Sequence, residues 1–571
     1  MRVTGPRLGA LRSRRLGLLS LSLFVGAGAG LGAVAFRYMI EGLTMVLSGH
    51  RDYAGLGHVA NPLVPFLGPF FVLLAPVVAG ALYGPLVYRF AREARGHGVP
   101  EVMVAVARSG GRIRPQVAVV KALASALCIG GGGSVGREGP IVQIGSALRS
   151  TLAQAFRLDE RRVKLLVACG AAAGIAATFN APLAGVFFAM EIILREWATQ
   201  SFGMVVLSSV TASVVSRSLL GNHPFLSLPA FHVDHLVQYL LFALLGLLAG
   251  LVGVGFSRVL YAVEDACDWA WRGPEWARPA VGGILLGVLL LALPEMYGVG
   301  YPVLGTAVAG GYGVAFLLAL LVGKLIACSL TIGIGGSGGV FAPSLFCGAM
   351  TGAVFGEFVH SIAPAAGGSV GAYALIGMGA VFAGAARAPI TAVVILFELT
   401  GEYTIILPLM LAIVLAAGVS HLVSHDTVYT RKLLRRGIDI DEPADAALHR
   451  RPASDFMVAP PRPVTADESV AEAARRFACS SHTHLPVVVD GTYVGTLASL
   501  DVMDALAAGE QTRVRDLMTA AEPVAPDAPL SDVLHELDQG AGAVPVVGTD
   551  RTITGWIRHR DLIGALTHRE T

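Results

Sequence analysis

The nine residues Gly132-Gly133-Ser134-Val135-Gly136-Arg137-Glu138-Gly139-Pro140 return in outline 203 positions later as Gly335-Gly336-Ser337-Gly338-Gly339-Val340-Phe341-Ala342-Pro343. At the same offset Lys121 matches Lys324, Ile129 matches Ile332, Gly130 matches Gly333 and Gly145 matches Gly348, so the likeness extends beyond the glycines. A second pair lies downstream at an offset of 207: Ala181-Pro182-Leu183 with Glu191, and Ala388-Pro389-Ile390 with Glu398, each acid nine positions after its proline. Two spaced repeats in one order confine the chain to a fold built from two related halves, which we expect to meet near residue 230.

The solvent of those halves follows from composition. Of 571 residues 54% are hydrophobic and only 14% charged, with a mean hydropathy of +0.66, where soluble chains carry roughly 25% charge. Uncharged runs from Leu16 to Phe36, Leu63 to Tyr88, Leu236 to Phe256 and Val303 to Gly323 reach the roughly 20 residues a spanning helix needs. A polytopic helical bundle in a lipid bilayer follows. In duplicated membrane proteins, Gly/Pro-interrupted segments at matching places in the two halves point to a binding site near the midplane.

Arg2, Arg7, Arg12, Arg14 and Arg15 precede the first apolar run, and Arg431, Lys432, Arg435 and Arg436 follow the last. By the positive-inside tendency both termini are cytoplasmic, and the expected location is the cell membrane, crossed many times. A formal net charge of +2, without a basic stripe interleaved with aromatics, gives no electrostatic reason to expect nucleic acid as a partner. Cys128, Cys169, Cys267, Cys328, Cys347 and Cys479 are scattered without metal or redox spacing, so no metal is expected.

A helix N-terminus offers unpaired N–H groups and about half a positive charge, and binds an anion without a basic side chain. A full charge would hold the ion too tightly for conduction. The segments 132–140 and 335–343, each Gly-rich with a proline near the first turn of an apolar helix, have the form such a site requires. Glu138, an acid inside the membrane part, is costly there and therefore a functional candidate; the alternative is a structural acid neutralised by Arg137.

After about Asp439 a polar linker leads to a soluble region with its own duplication. Asp455-Phe456-Met457 returns as Asp516-Leu517-Met518, Leu485-Pro486-Val487-Val488 as Val544-Pro545-Val546-Val547, and 495–501 as 555–561. Each unit reads helix, strand, strand, helix. The expected division is a basic N-terminus 1–15, a membrane domain 16–437, a linker 438–453, and soluble modules 454–510 and 511–571.

These motifs resemble one family. Gly136-Arg137-Glu138-Gly139-Pro140 is similar to the GREGP signature of the CLC chloride channels and exchangers, 338–343 to its GxFxP segment, and Gly96-His97-Gly98-Val99-Pro100 to its GSGIP segment. The soluble repeats resemble CBS modules. The fold class implied is an all-α polytopic membrane protein of CLC-type inverted-repeat construction, followed by a cytoplasmic α/β CBS pair. The resemblance further implies a homodimer with one pore per subunit, working as a voltage-gated chloride channel or a chloride/proton antiporter. Glu138 would be the gate, and the anion ligands would come from Gly98, Val99, Gly136, Val340, Phe341 and the hydroxyl of Tyr429. No cofactor is required for transport; an adenine nucleotide is implied between the CBS modules, its ribose held by Asp501 and Asp561.

Three departures bear on these implications. His97 stands where the family has serine, so the imidazole either contacts the anion or turns away and leaves Gly98 and Val99 to do so. Ile192, which cannot carry a proton, stands at the internal proton-transfer position, leaving channel and exchanger both open. Glu191 and Glu398, at equivalent repeat positions, suit a structural pairing role. In the soluble pair, Ala498 and Arg558 replace the hydroxyl residue three positions before each aspartate, so a ligand-free stabilising module competes with a nucleotide site.

Two other function classes deserve weighing. Gly335-Gly336-Ser337-Gly338-Gly339 satisfies GxSxG, the pattern of serine hydrolases, but two symmetric copies suit an ion site better than a nucleophile, and an enzyme is not expected. A CBS-regulated cation transporter would need membrane carboxylates converging on one site, whereas Glu138, Glu191 and Glu398 are few and separated.

Overall fold

The computed structural model describes residues 15–221, 236–362, 368–440, 449–509, 512–520, 522–539 and 542–567. Arg2, Arg7, Arg12 and Arg14, the expected junction near 230 and linker residues 441–448 lie outside the described residues. Two compact units divide between Asp439 and Ile440.

The first unit is helical among its described residues, and eight of its helices are long and apolar enough to cross a membrane. It is built twice over. Helices Arg15–Ser48, Phe71–Phe90, Val99–Arg108, Gln116–Gly130, Glu138–Ala155, Glu160–Phe179, Pro182–Phe188 and Thr199–Leu220 correspond in order to Val237–Ala270, Arg278–Ala292, Tyr301–Val308, Val314–Gly333, Phe341–Ile362, Val370–Ala386, Pro389–Thr400 and Ile406–Val423.

Local chemistry sets the helix ends the same way in both copies. Pro100, Pro302, Pro182 and Pro389 occupy the first turns of their helices, where the missing N–H costs nothing. Asn180 and Arg387 close the preceding helices in the left-handed conformation. Asp159 and Ser369 accept N-terminal N–H groups from Arg162 and Ala372.

Close helix approach is likewise duplicated. The carbonyl of Gly170 lies where a Cβ on Gly145 would stand, and the converse holds; Gly348 and Gly377 repeat the arrangement. In lipid, where apolar burial drives helix association little, such backbone-to-backbone packing is what remains.

Reciprocal contacts join the halves. Gly136 and Gly339 exchange backbone hydrogen bonds of 2.7 and 2.6 Å. Glu191 accepts the N–H groups of Ile390 and Thr391, at 3.1 and 2.8 Å, while Glu398 accepts those of Leu183 and Ala184, at 2.9 and 2.7 Å. Each half gives what it receives, the signature of a local two-fold relation.

The second unit contains the two helix–strand–strand–helix modules. His484–Val489 pairs antiparallel with Thr492–Ala498 through an Asp490-Gly491 turn whose two residues both have positive φ, 50° and 80°, as the tightest hairpins require. Val544–Val547 pairs likewise with Ile553–Ile557. A short strand, Val464–Thr465, adds parallel to the first sheet, and Val524 bridges Val546 in the second. The cores do not separate at residue 510. Val514 is buried with Val464, Leu485 and Leu497 in the first core, whereas Ala453 and Phe456 belong with Leu530, Val544 and Ile557 in the second. Each module is completed by the segment leading into the other, which ties the two into one folding unit.

Candidate functional site

Three Gly-rich loops converge where the halves meet. Gly96 N–H donates to Gly336 O at 2.9 Å and Gly338 N–H to Gly96 O at 3.3 Å, so the segment before the Val99 helix lies along the second repeat. Gly139 stands against the His97 carbonyl and the Cα of Gly339, and Gly98 against the Gly139 carbonyl and Gln143 Oε1. The residues Gly98, Val99, Gly136, Val340 and Phe341, 243 positions apart at their extremes, therefore come together at helix N-termini, where N–H groups and the helix dipoles favour an anion. Gly98, the residue before the Val99 helix, has φ 85°, a conformation a side chain would strain.

Buried lysines at the repeated positions hold this arrangement. Lys121 Nζ donates to Ala94 O and Gly96 O at 2.9 and 2.7 Å. Lys324 Nζ donates to Ser134 Oγ at 2.9 Å and to Gly298 O and Val299 O at 3.2 and 3.0 Å. Carbonyl groups thus satisfy charges that would be untenable bare at this depth. The two GxSxG serines are bound into the same scaffold: Ser337 Oγ donates to Ala94 O at 2.6 Å and lies 2.9 Å from Ser125 Oγ.

Glu138, 1% exposed, opens its helix at the centre of the convergence. Oε1 accepts the hydroxyl of Tyr301 at 2.7 Å, and Oε2 lies over Gly136 in the space a Cβ would fill. Arg137 does not form an ion pair with it. The guanidinium sits 5.2 Å from the centre of the Tyr301 ring and donates to Thr178 O. Tyr429, which precedes the short helix Thr430–Leu434, is 2% exposed. Phe341 is wedged among Phe179, Phe188 and Phe382, with ring centroids at 5.5, 6.4 and 4.5 Å.

His97 is fully buried, and neither ring nitrogen has a hydrogen-bond partner. The ring meets Tyr261 edge-on at 6.0 Å. Ile192 is buried in the π-helical segment Ala189–Leu194, next to Glu191, whose carboxylate is spent on Ile390 and Thr391.

Two of the cavities near the loops are lined by charged residues. One, of about 600 Å³, is lined by Arg37, Arg51, Arg137, Arg217 and Tyr301 with the acids Glu41 and Asp52. The other, of about 370 Å³, has Tyr261 and Lys432 in its wall. Clefts with an excess of one charge concentrate the opposite ion, and in the larger one the cations exceed the acids.

Sequence reasoning missed Tyr301. Its signal was present: Gly298-Val299-Gly300-Tyr301-Pro302 repeats Gly96-His97-Gly98-Val99-Pro100 at an offset of 202. Only two glycines and the proline are shared, which hid the match.

In the soluble unit the two aspartates differ. Asp501 is exposed at the start of its helix. Asp561 is taken up by Arg558, whose Nε and a terminal nitrogen reach its two oxygens at 2.6 and 2.8 Å, while the Arg558 N–H adds a bond of 3.1 Å.

Comparison with known proteins agrees with this architecture. The family described as voltage gated chloride channel matches residues 79–421, and CBS domains match 453–508 and 514–568. A protein of Ralstonia nicotianae named for its likeness to the chloride channel protein ClcB is 33% identical, over 74% of this chain and 98% of its own. The H(+)/Cl(-) exchange transporter ClcA of Vibrio cholerae is 33% identical, over 73% of this chain and 89% of its own. The crystal structure of a slow cyanobacterial Cl-/H+ antiporter superimposes with a TM-score of 0.65 at 26% identity, covering 73% of this chain and 97% of that one. The chain belongs to the CLC family of voltage-gated chloride channels and transporters and carries a C-terminal pair of CBS domains.

Proposed function

We propose that this protein carries chloride or a similar small anion across the membrane along a path through the converging loops, with Glu138 as its gate. The observation that carries the reading is the position of the Glu138 carboxylate: it is buried over Gly136 at the helix N-termini, in the space an anion would need. An ionised carboxylate there competes with the anion for the same N–H groups, and protonation or displacement vacates them. Gly98, Val99, Gly136, Val340, Phe341 and the Tyr429 hydroxyl are the ligands this reading assigns, with the His97 imidazole facing the ion.

The family-level activity admits a channel and a proton-coupled exchanger. The exchange transporter among the relatives supports proton coupling, whereas Ile192 supports uncoupled flow. Purified protein in liposomes, with chloride and external pH recorded together under a chloride gradient, separates them: uphill proton movement marks an exchanger, and chloride efflux alone a channel. Glu138→Gln should abolish proton movement and leave anion flux. Unchanged proton flux in that variant would refute the gate.

The family reading also implies a homodimer with both termini in the cytoplasm, which cross-linking and protease protection of the CBS pair would test. For an adenine nucleotide, the Arg558–Asp561 pair is a poor fit, because a ribose would have to displace Arg558. The nucleotide reading therefore rests on Asp501, and calorimetric titration with ATP, repeated on Asp501→Ala, decides it.

A further inference from the structure

His97 is fully buried, and among the described residues neither ring nitrogen has a hydrogen-bond partner. Two further buried atoms without partners belong to the same loops. Oε1 of Gln143 stands against Gly98, the residue after His97, while the amide nitrogen of that side chain is spent on Glu93 O at 3.0 Å. Oε2 of Glu138 stands over Gly136. Native interiors leave few such atoms, and each calls for an explanation. A neutral imidazole offers one N–H and one lone pair, and an imidazolium offers two N–H groups. The change between them falls near neutral pH in an unperturbed side chain.

The charges facing the ring determine when that proton binds. Lys121 and Lys432 bracket Gly96, the residue before His97: Lys121 Nζ donates to Gly96 O at 2.7 Å, and the Lys432 ammonium occupies the space a Gly96 Cβ would take. On another side Tyr261 meets the ring edge-on at 6.0 Å, with Arg431 and Arg435 over the Tyr261 ring at 5.7 and 5.2 Å from its centre. The acids of these elements are engaged with arginines: Asp426 with Arg431, Glu264 and Asp265 with Arg435, and Glu101 with Arg436. Like charges disfavour one more cation, so His97 alone stays neutral. An anion in the loops reverses that balance, because it neutralises the surrounding positive charge and accepts an N–H of the ring. Tyr261 also lines the 370 Å³ cavity, which places His97 one residue behind the cavity wall.

We propose that His97 is a proton-binding site linked to the anion: it takes a proton from the 370 Å³ cavity onto the lone pair of its unprotonated ring nitrogen when an anion occupies the converging loops, and returns that proton when the anion leaves. No other bond forms or breaks. The proposal rests on the reading of those loops as the anion path. Linkage is reciprocal, so an anion that promotes protonation is itself held more tightly by the protonated form, and anion affinity rises as pH falls. Such a site brings a proton onto the path although Ile192 carries none.

Calorimetric titration of chloride into the purified full chain, in two buffers of different protonation enthalpy, reads the protons taken up per anion bound. The reading is made at equilibrium and needs no proton to cross the membrane. Glu138→Gln is the background, because it removes the titratable carboxylate of the loops. There, proton uptake with chloride is expected near pH 6.5, and chloride affinity should be several-fold higher at about pH 5.5 than at about 7.5, the range an imidazole spans. Adding His97→Asn should abolish the uptake and flatten the pH dependence, and His97→Gln serves the same purpose where the asparagine variant fails to fold. Chloride bound without proton uptake in Glu138→Gln, or uptake that persists once His97 is replaced, overturns the proposal and leaves the path intact. Absence of chloride binding in the unaltered chain and in Glu138→Gln refutes the path, and the proposal with it.

Discussion

The hydroxyl of Tyr301 donates to Oε1 of Glu138 at 2.7 Å across 163 positions of sequence, joining the acid of the first repeat to the first helical residue of a short helix in the second. A hydrogen bond to a carboxylate contributes about 1.5–3 kcal/mol, or about one to two orders of magnitude in the equilibrium between the seated and released acid. Tyr301→Phe should therefore fold normally and shift anion turnover by about tenfold or more. In a Glu138→Gln background the same change should have little further effect. Equal effects of Tyr301→Phe in both backgrounds, measured by liposome flux, would mean that Tyr301 acts elsewhere.

Gly136 and Gly139 should behave in opposite ways although both are tightly packed. A Cβ at residue 136 meets the carboxylate end of Glu138, a side chain free to swing away, whereas at 139 it meets the backbone carbonyl of His97. Gly136→Ala is expected to fold with Glu138 displaced and anion flux close to that of Glu138→Ala. Gly139→Ala is expected to express poorly or to lose the loop arrangement, and thermal melting of the two purified variants would check the contrast.

How much of this was legible in the sequence depends on the kind of contact. The duplication at an offset of 203 exposed Lys121, Lys324 and both Gly-rich segments, because backbone chemistry at a helix start requires glycine and proline at fixed spacing. The equivalence of Glu191 and Glu398 was visible, but that each acid caps the other half's helix was not, since no local pattern says which distant N–H groups a carboxylate will meet. Tyr301 escaped because its hydroxyl serves a residue in the other half while its own surroundings look apolar. In the soluble pair the strands and the Asp490-Gly491 turn were local and readable. The exchange of Val514 and Phe456 between cores was not, because an apolar residue carries no label for the core it joins.

The reciprocal caps give a stability prediction distinct from transport. Removing Glu398 leaves the N–H groups of Leu183 and Ala184 without their acceptor, and an unsatisfied group shielded from water, as at the buried Ala184, costs about 1–3 kcal/mol. Glu398→Ala and Glu191→Ala should lower thermal stability by comparable amounts, with the glutamine variants losing less because one oxygen remains. The anion-to-proton ratio should be unchanged in all four. A ratio that moved in Glu191→Gln alone would assign that acid a proton role.

Acidification should loosen the CBS pair. Burial holds the imidazole of His484 below its ordinary range, with Asp501 opposing this; burial does the same at His482, reinforced by Arg558 and Arg560. A histidine whose folded pKa lies below the unfolded value of about 6.5 leaves stability untouched above that pH. As pH falls through 6.5 toward the folded value, the unfolded state gains protons that the folded state refuses, and stability is lost. Hydrogen exchange of the full chain at Leu485–Val488 should therefore quicken between pH 7.5 and 5.5, and His484→Gln should flatten that response. Gly542 is expected to move with it, since the His484 ring fills the space beside that residue. Protection that stayed constant with pH in the unaltered chain would show that these histidines protonate without strain in the folded pair.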